Sequence, residues 1–344
     1  MKSLYSLNLK EAEGIMESLE APKYRAAQLL RWLYRVHVRS WDELKNIPKD
    51  LRDKLAEKYF LASLELAEEY ENAKNPTTKY LFKTHDGHFL ESVLIRQGDR
   101  KTVCVSTQLG CRVRCPFCAS GKSGFFRNLT AGEIIEQIAW IVRKSHCQIT
   151  NVVFMGMGEP LDNFDEVMKA LEILTAPWGF EMGGRKITVS TSGVPEKIYE
   201  FVKRTDGRIR LSVSLHSPFD ETRSRLIPYN RKYPLKALLA TLYKIHEDLK
   251  RDITFEYTLI DGMNDSEEDA KAVAKIARPL QAKINLIPYN PIREITWKAP
   301  SEEKMKHFRS ILEKEKVRST FRKTAGQEVE GACGQLRLDR VTRR

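Results

Sequence analysis

From residue 98 onward the chain alternates between short apolar runs and longer amphipathic ones, and this rhythm limits its fold more than anything else in the sequence. Strands are predicted over 103–106, 151–155, 186–190, 209–215, 253–259 and 283–287. Helical spacing of apolar residues fills the gaps at 131–144, 164–174, 195–203, 235–249 and 266–277. A further helix over 301–314 and a last strand over 319–323 extend the series. Strands separated by helices build a parallel sheet, either doubly wound or curled into a barrel. Six such units fit a partial barrel better than the complete eight-fold one.

The flanking regions read differently. Residues 1–60 are predicted to be a small helical unit. Within 22–38, Ala26, Leu29, Leu30, Leu33 and Val36 repeat at the helical period, with Arg31, Arg35 and Arg39 on the other side beside Tyr24, Trp32 and Tyr34. Another short helix follows Pro48, through Leu51 and Leu55. Residues 61–97 form a connecting β region, with His85-Asp86-Gly87 as a hairpin turn between strands at 79–84 and 89–95. The barrel takes 98–325, and 326–344 is a C-terminal tail. Thr130 with Glu133, and Ser266 with Asp269, are capping boxes that mark helix starts.

Cysteine carries the chemistry. Gly110-Cys111-Arg112-Val113-Arg114-Cys115-Pro116-Phe117-Cys118 has C-x3-C-x2-C spacing directly after the first barrel strand. Three thiolates are one short of a closed structural zinc site. Three cysteines can hold a [4Fe-4S] cluster while leaving one iron open. A zinc site completed by Cys147 or Cys333, or simple buried thiols, is the competing reading. Polar and glycine-rich residues also recur where other strands end: Gly156-Met157-Gly158-Glu159-Pro160, Ser190-Thr191-Ser192-Gly193, Ser214-Leu215-His216 and Tyr289-Asn290-Pro291. In a parallel barrel those ends share one mouth, the usual seat of an active site.

The net charge of +12 at 344 residues points to a polyanionic partner, and nucleic acid is the commonest. No run of 18 apolar residues exists, and the first residues lack the apolar core of a signal peptide. The expectation is a cytoplasmic protein without a membrane partner, in which six cysteines serve metal or catalysis rather than disulfide staples.

The cysteine triplet at the head of a six-unit βα chain resembles the radical S-adenosylmethionine superfamily. Gly124-Phe125-Phe126-Arg127-Asn128-Leu129, Gly156-Met157-Gly158-Glu159-Pro160, Ile284-Asn285-Leu286-Ile287-Pro288-Tyr289-Asn290-Pro291 and Ala332-Cys333-Gly334-Gln335-Leu336 are together similar to the RlmN family, over 22–336. The resemblance implies an α/β partial (β/α)6 radical SAM barrel, with an N-terminal helical accessory domain and a catalytic cysteine in the tail. It implies methylation at C2 of adenosine 2503 in 23S ribosomal RNA and adenosine 37 in transfer RNA. Cys111, Cys115 and Cys118 would ligate one [4Fe-4S] cluster. Gly158, Glu159, Ser190, Ser214, Leu215, His216 and Asn290 would bind S-adenosylmethionine, two molecules being consumed per methyl transferred. Cys333 would carry the methyl group, Cys104 would resolve the protein–RNA adduct, and Glu91 would accept a proton. A monomer reduced by flavodoxin or ferredoxin is the implied working form, with Arg25, Arg31 and Arg35 as candidate RNA contacts. Cys147 matches no motif.

Such a relay answers a chemical problem. C2 of adenine is electron-poor and offers no lone pair to a sulfonium methyl, whereas a carbon radical carried on a cysteine sulfur can add there. The nearest rival is C8 methylation of the Cfr type, but Pro160 and the Asn285-Leu286-Ile287-Pro288 stretch look like the C2 enzymes. A non-catalytic RNA-binding metalloprotein would leave Cys333 and the polar strand ends without a role. A radical enzyme acting on a small molecule or a peptide glycyl site would leave the charge and the N-terminal helices unused.

Overall fold

The computed structural model of the protein describes residues 1–71, 76–249, 253–292, 295–322 and 330–336. Ten strands make one sheet: β1 (Leu64–Glu71), β2 (Thr77–Thr84), β3 (Phe89–Gln97), β4 (Arg100–Cys104), β5 (Asn151–Phe154), β6 (Ile187–Thr191), β7 (Arg210–Ser214), β8 (Ile253–Leu259), β9 (Lys283–Pro288) and β10 (Ser319–Phe321). They lie in sequence order across the sheet. The first four pair antiparallel as a meander, and β4 through β10 are all parallel. An unreversed order of parallel strands is barrel topology, since a doubly wound sheet has a point where the order turns back. The outer edge of β4 is occupied by β3, in register Val93 with Cys104, so β4 pairs with β3 and β5 and the barrel stays open.

The helices between parallel strands fall where their apolar periodicity puts them. They are α1 (Ala131–Ser145), α2 (Phe164–Thr175), α3 (Pro195–Arg204), α4 (Leu235–Leu249), α5 (Glu267–Ala277) and α6 (Glu302–Lys314). Thr130 and Ser266 cap α1 and α5 through the reciprocal hydrogen bonds of a capping box. Strand residues such as Val152, Phe154, Val189 and Val213 are buried because helices cover the outer face of the sheet. The 319–323 strand reaches Phe321. Lys323 lies outside the described residues, as do 326–329 and 337–344 of the expected tail.

Before the meander sits the small helical unit, which differs from expectation in one place. The helix predicted over 22–38 is α-helical over Tyr24–Arg31, widens into a π turn over Trp32–Val36, and ends with His37 in the left-handed region. The wide turn changes the phase of the side chains. Tyr34 is thereby buried, and its hydroxyl donates to the carbonyl of Leu7 at 2.6 Å. The arginine stripe is largely consumed by packing. Arg35 binds Glu181 and the Pro177 carbonyl, Arg25 binds Gln28 and the Asn46 carbonyl, and Arg39 lies over the ring of Trp140. Arg31 remains exposed.

Two polar clusters, one buried and one at the surface, join the units. Glu136 on α1 is fully buried, and its carboxylate accepts from Ser3 Oγ, Ser63 Oγ and the N–H groups of Ser63 and Leu64, at 2.7–2.8 Å. Arg127 bridges Asp86 in the hairpin turn to Glu133 at the start of α1, both at 2.7 Å. Glu136→Ala leaves those donors unpaired, so it is expected to cost about 3 kcal/mol in denaturant unfolding. His37 supplies a pH test. Burial, ahead of the nearby arginines, pulls its pKa down to about 4. The unfolded chain therefore binds the extra proton between the ordinary histidine value and 4, so stability falls as pH drops through that window, by about 3 kcal/mol at most. Replacing His37 with glutamine, which has no charged form, should flatten that part of a stability-against-pH curve.

Candidate active site

The cysteine triplet lies in the loop between a short strand, Gln108–Gly110, and a one-turn helix, Ala119–Lys122. Gln108–Gly110 pairs antiparallel with Phe125–Asn128, which carries Arg127. Close backbone packing forms this hairpin: a Cβ on Gly110 would stand 1.9 Å from the Gly124 carbonyl oxygen, and Gly110 has φ +76. A Cβ on Gly121 would likewise press within 2.6 Å of the Cys115 carbonyl. Cys111, Cys115 and Cys118 wall one pocket, together with Gly158, Glu159, Ser190, Ser214, His216 and Asn290. Of the seven residues expected at the cofactor, only Leu215 has no place on that wall. It packs in the core, and its carbonyl accepts from Arg223.

The pocket is electrostatically prepared. Glu159 is buried, and its two carboxylate oxygens accept the N–H groups of Leu161 at 3.0 Å and Ser192 at 2.7 Å. Burial still outweighs those bonds and raises its pKa. His216 has its backbone in the left-handed region, and its Nδ1 accepts the Thr258 N–H at 3.0 Å. That bond assigns the proton to Nε2. Burial, then Arg223, brings its pKa down to about 3, so the ring is a neutral oriented donor rather than an acid–base group. Arg223 was not foreseen. Its sequence position in a short helix, Asp220–Leu226, carries no signal, yet it is fully buried and donates to the carbonyls of Leu215, Ser192 and Ser214. It ties the ends of β6 and β7 together beneath the pocket.

The tail comes to the same place. The Ala119 N–H donates to the Gly334 carbonyl at 2.7 Å, Ser120 Oγ to Leu336 O at 2.7 Å, and Asn290 Nδ2 to Cys333 O at 3.0 Å. Gln335 Nε2 adds a bond to Pro291 O at 3.1 Å. Cys333 thereby stands on the wall of the cluster pocket and also on that of an adjoining cavity of about 1650 Å³, where Cys104 is found. Both thiols are free. Burial pushes Cys104 up to about 12. Cys333, which is exposed to solvent, is raised as well by the protein around it, and the guanidinium of Arg322 pulls both back toward the thiolate. Arg322, also unforeseen, follows β10, faces Glu256 at 3.8 Å and reaches Met155 Sδ at 3.4 Å.

Glu91 is not brought to these walls. It shares the strand face of Val93, the partner of Cys104, but its carboxylate is turned onto Lys79 Nζ at 2.9 Å in a buried ion pair. Cys147 lies beyond α1, away from both cavities, with its N–H on Ser145 Oγ.

The donor set suits an iron–sulfur cluster. Cys111, Cys115 and Cys118 wall one pocket, and Cys147, one candidate for a fourth zinc ligand, has no place on it. The Ser192 hydroxyl is buried in the wall of the same pocket, beside the Glu159 carboxylate.

Comparison with known proteins decides the family. A model of the "Ribosomal RNA large subunit methyltransferase N-terminal domain" matches residues 2–61, and one of the "Radical SAM superfamily" matches 105–273. The "Probable dual-specificity RNA methyltransferase RlmN 2" of Protochlamydia amoebophila is 44% identical over 92% of this chain and 89% of its own length. The chain belongs to the RlmN family. The "Dual-specificity RNA methyltransferase RlmN" of Nautilia profundicola is 40% identical, covering 96% and 97% of the two chains. A solved radical SAM methyltransferase from Sphaerobacter thermophilus superposes with a TM-score of 0.94 at 40% identity, over 98% of this chain and 100% of the other. The protein is thus a radical SAM RNA methyltransferase, and the cofactors of its superfamily are a [4Fe-4S] cluster and S-adenosylmethionine. Among the described residues no helix is long and apolar enough to cross a membrane.

Because Arg322 favours the charged form of both thiols, Arg322→Leu should move the midpoint of Cys333 alkylation to higher pH. Iodoacetamide labelling read by peptide mass spectrometry checks this, and an unmoved midpoint would remove Arg322 from the account.

Proposed function

We propose that this chain methylates C2 of adenine in 23S ribosomal RNA and in transfer RNA, using Cys333 as a carbon carrier and Cys104 as its resolving partner. One observation carries the reading: Cys333 walls both the cofactor pocket and the cavity that contains Cys104. A thiol that receives a group on one side and delivers it on the other has to stand at such a junction. In this scheme 98–325 is the catalytic barrel, 61–97 connects it to the accessory domain at 1–60, and 326–344 is the relay tail.

Cys111, Cys115 and Cys118 are the cluster ligands, and Gly158, Glu159, Ser190, Ser214, His216 and Asn290 line the cofactor site. Bound there, the cluster and S-adenosylmethionine supply a methyl group and one-electron chemistry. Cys333 Sγ takes the methyl carbon as a thiolate, which Arg322 favours against the protein around it. Once that carbon has joined the adenine ring, the chain is bonded to RNA through sulfur. The ring proton then leaves to a base; Glu91 shares the strand face of Cys104 and serves only once it leaves its ion pair with Lys79. Cys104 attacks the Cys333 sulfur as a thiolate, the S–C bond breaks with its electron pair going to the RNA-bound carbon, which takes up a proton to become the methyl group, and a Cys104–Cys333 disulfide remains. Two electrons from a thiol reductant restore the pair. A small redox protein such as flavodoxin or ferredoxin fits the separate need for single electrons, and a monomer suffices for every step.

The experiment is anaerobic reconstitution with an RNA stem-loop, followed by nucleoside mass spectrometry and denaturing gels. Wild type should yield 2-methyladenosine. Cys333→Ala should transfer no methyl, and Cys104→Ala should accumulate a covalent protein–RNA species. Formation of 8-methyladenosine, or equal turnover by either variant, would overturn the reading.

A further inference from the structure

The cavity holding Cys104 and Cys333 reaches the far end of the barrel. Its walls include Gly98, Gly184 and Gly207, which precede strands, as well as residues deep within the sheet. Because β4 to β10 run in one direction, their N-terminal ends share a rim opposite the cluster loop.

Six cations stand on that rim. Arg100 opens β4, Arg185 lies in the turn before β6, Arg208 and Arg210 flank the start of β7, Lys283 opens β9, and Arg318 precedes β10. All six are exposed, and all six wall the cavity. Among the described residues none has a carboxylate at ion-pair distance. Their recorded bonds are weak neutral ones, Arg100 Nε to Thr102 Oγ1 and Arg318 Nη2 to Gln281 O, each at 3.3 Å. Elsewhere on the surface cations are commonly paired, as Lys304 with Asp261, Arg127 with Asp86 and Arg143 with Glu43. Among the described acids on the cavity wall, Glu256 faces Arg322 inside, and Asp206 stands at the rim.

We propose that this rim is the docking surface for a single-stranded RNA segment, whose extruded adenosine enters the barrel from the N-terminal end and meets Cys333 from the side opposite the cofactor. The inference rests on the RNA methylation reading above and adds the path. Unpaired cations around a concave mouth concentrate their field there, and a phosphodiester chain is the partner that can satisfy several of them at once. Chemistry on a ring atom requires the base to leave its stack. A cavity of about 1650 Å³ exceeds the roughly 300–1,000 Å³ of ordinary small-ligand pockets, which leaves room for a nucleotide beside the tail. Entry from this end also keeps the base apart from the cofactor, with Cys333 between them.

The test uses full-length reconstituted protein and a fluorescent RNA stem-loop, with affinity read by anisotropy across a salt series. Arg185→Gln, Arg208→Gln and Arg318→Gln are combined in one variant. Lys45→Gln, Lys49→Gln and Lys54→Gln, on the exposed face of the helical unit, form a second. At about 100 mM salt the rim variant should bind at least about tenfold more weakly, and its slope of log affinity against log salt should fall by about 2, three contacts at roughly 0.7 each. The second variant should stay within about threefold of wild type. Far-UV circular dichroism should be unchanged, because the replaced side chains are exposed and unpaired. Wild-type affinity and slope in the rim variant would overturn the path while leaving methylation standing. Absence of methyl transfer by the wild-type enzyme to any RNA would instead defeat the reading beneath it.

Discussion

Everything in this site depends on a few hydrogen bonds that fasten seven residues of tail to the cluster loop. Ala119 N–H and Ser120 Oγ hold the carbonyls of Gly334 and Leu336, and Asn290 holds that of Cys333. These are ordinary hydrogen bonds, each worth about 1 kcal/mol net, yet they fix a sulfur that is more than two hundred residues from Cys104 in sequence. The tail is thereby anchored to the loop of the cysteine triplet, and whatever orders that loop also orders Cys333.

The thiols experience opposing forces. Burial disfavours the thiolate that nucleophilic chemistry needs at Cys104, and the protein around Cys333 raises that thiol as well. Arg322 works against it, and Glu256 at 3.8 Å from the same guanidinium moderates that help. Arg223 plays the complementary part under the cofactor pocket, where its charge is held by strand-end carbonyls rather than by a carboxylate.

Much of this was legible in the sequence, for physical reasons. The α1 and α5 boundaries were readable because Thr130 and Ser266 make capping boxes, and the cluster loop because three cysteines in eight positions have few other uses. Strand-end residues were readable because parallel strands put them at one mouth. What escaped was whatever depends on tertiary approach. Arg223 and Arg322 sit in unremarkable local surroundings, and their roles arise from carbonyls and thiols that only the folded chain brings to them. The π turn that buries Tyr34 defeated a plain 3.6-residue count, and with it the idea of an arginine-lined helix face. The rim cations were each visible as a lone basic residue before a strand, but only the shared strand direction makes them a group.

The edge of β4 has one further consequence. With β3 bonded along it, the sheet cannot meet its other end at β10, and strand closure does not fix the barrel's girth. In a closed barrel, strand number and stagger determine the diameter. Here the curvature of an open sheet does so instead, and curvature can relax by small rotations spread over many strand pairs. A bulky guest can therefore be admitted by unrolling the wall slightly, with every ladder of hydrogen bonds left intact.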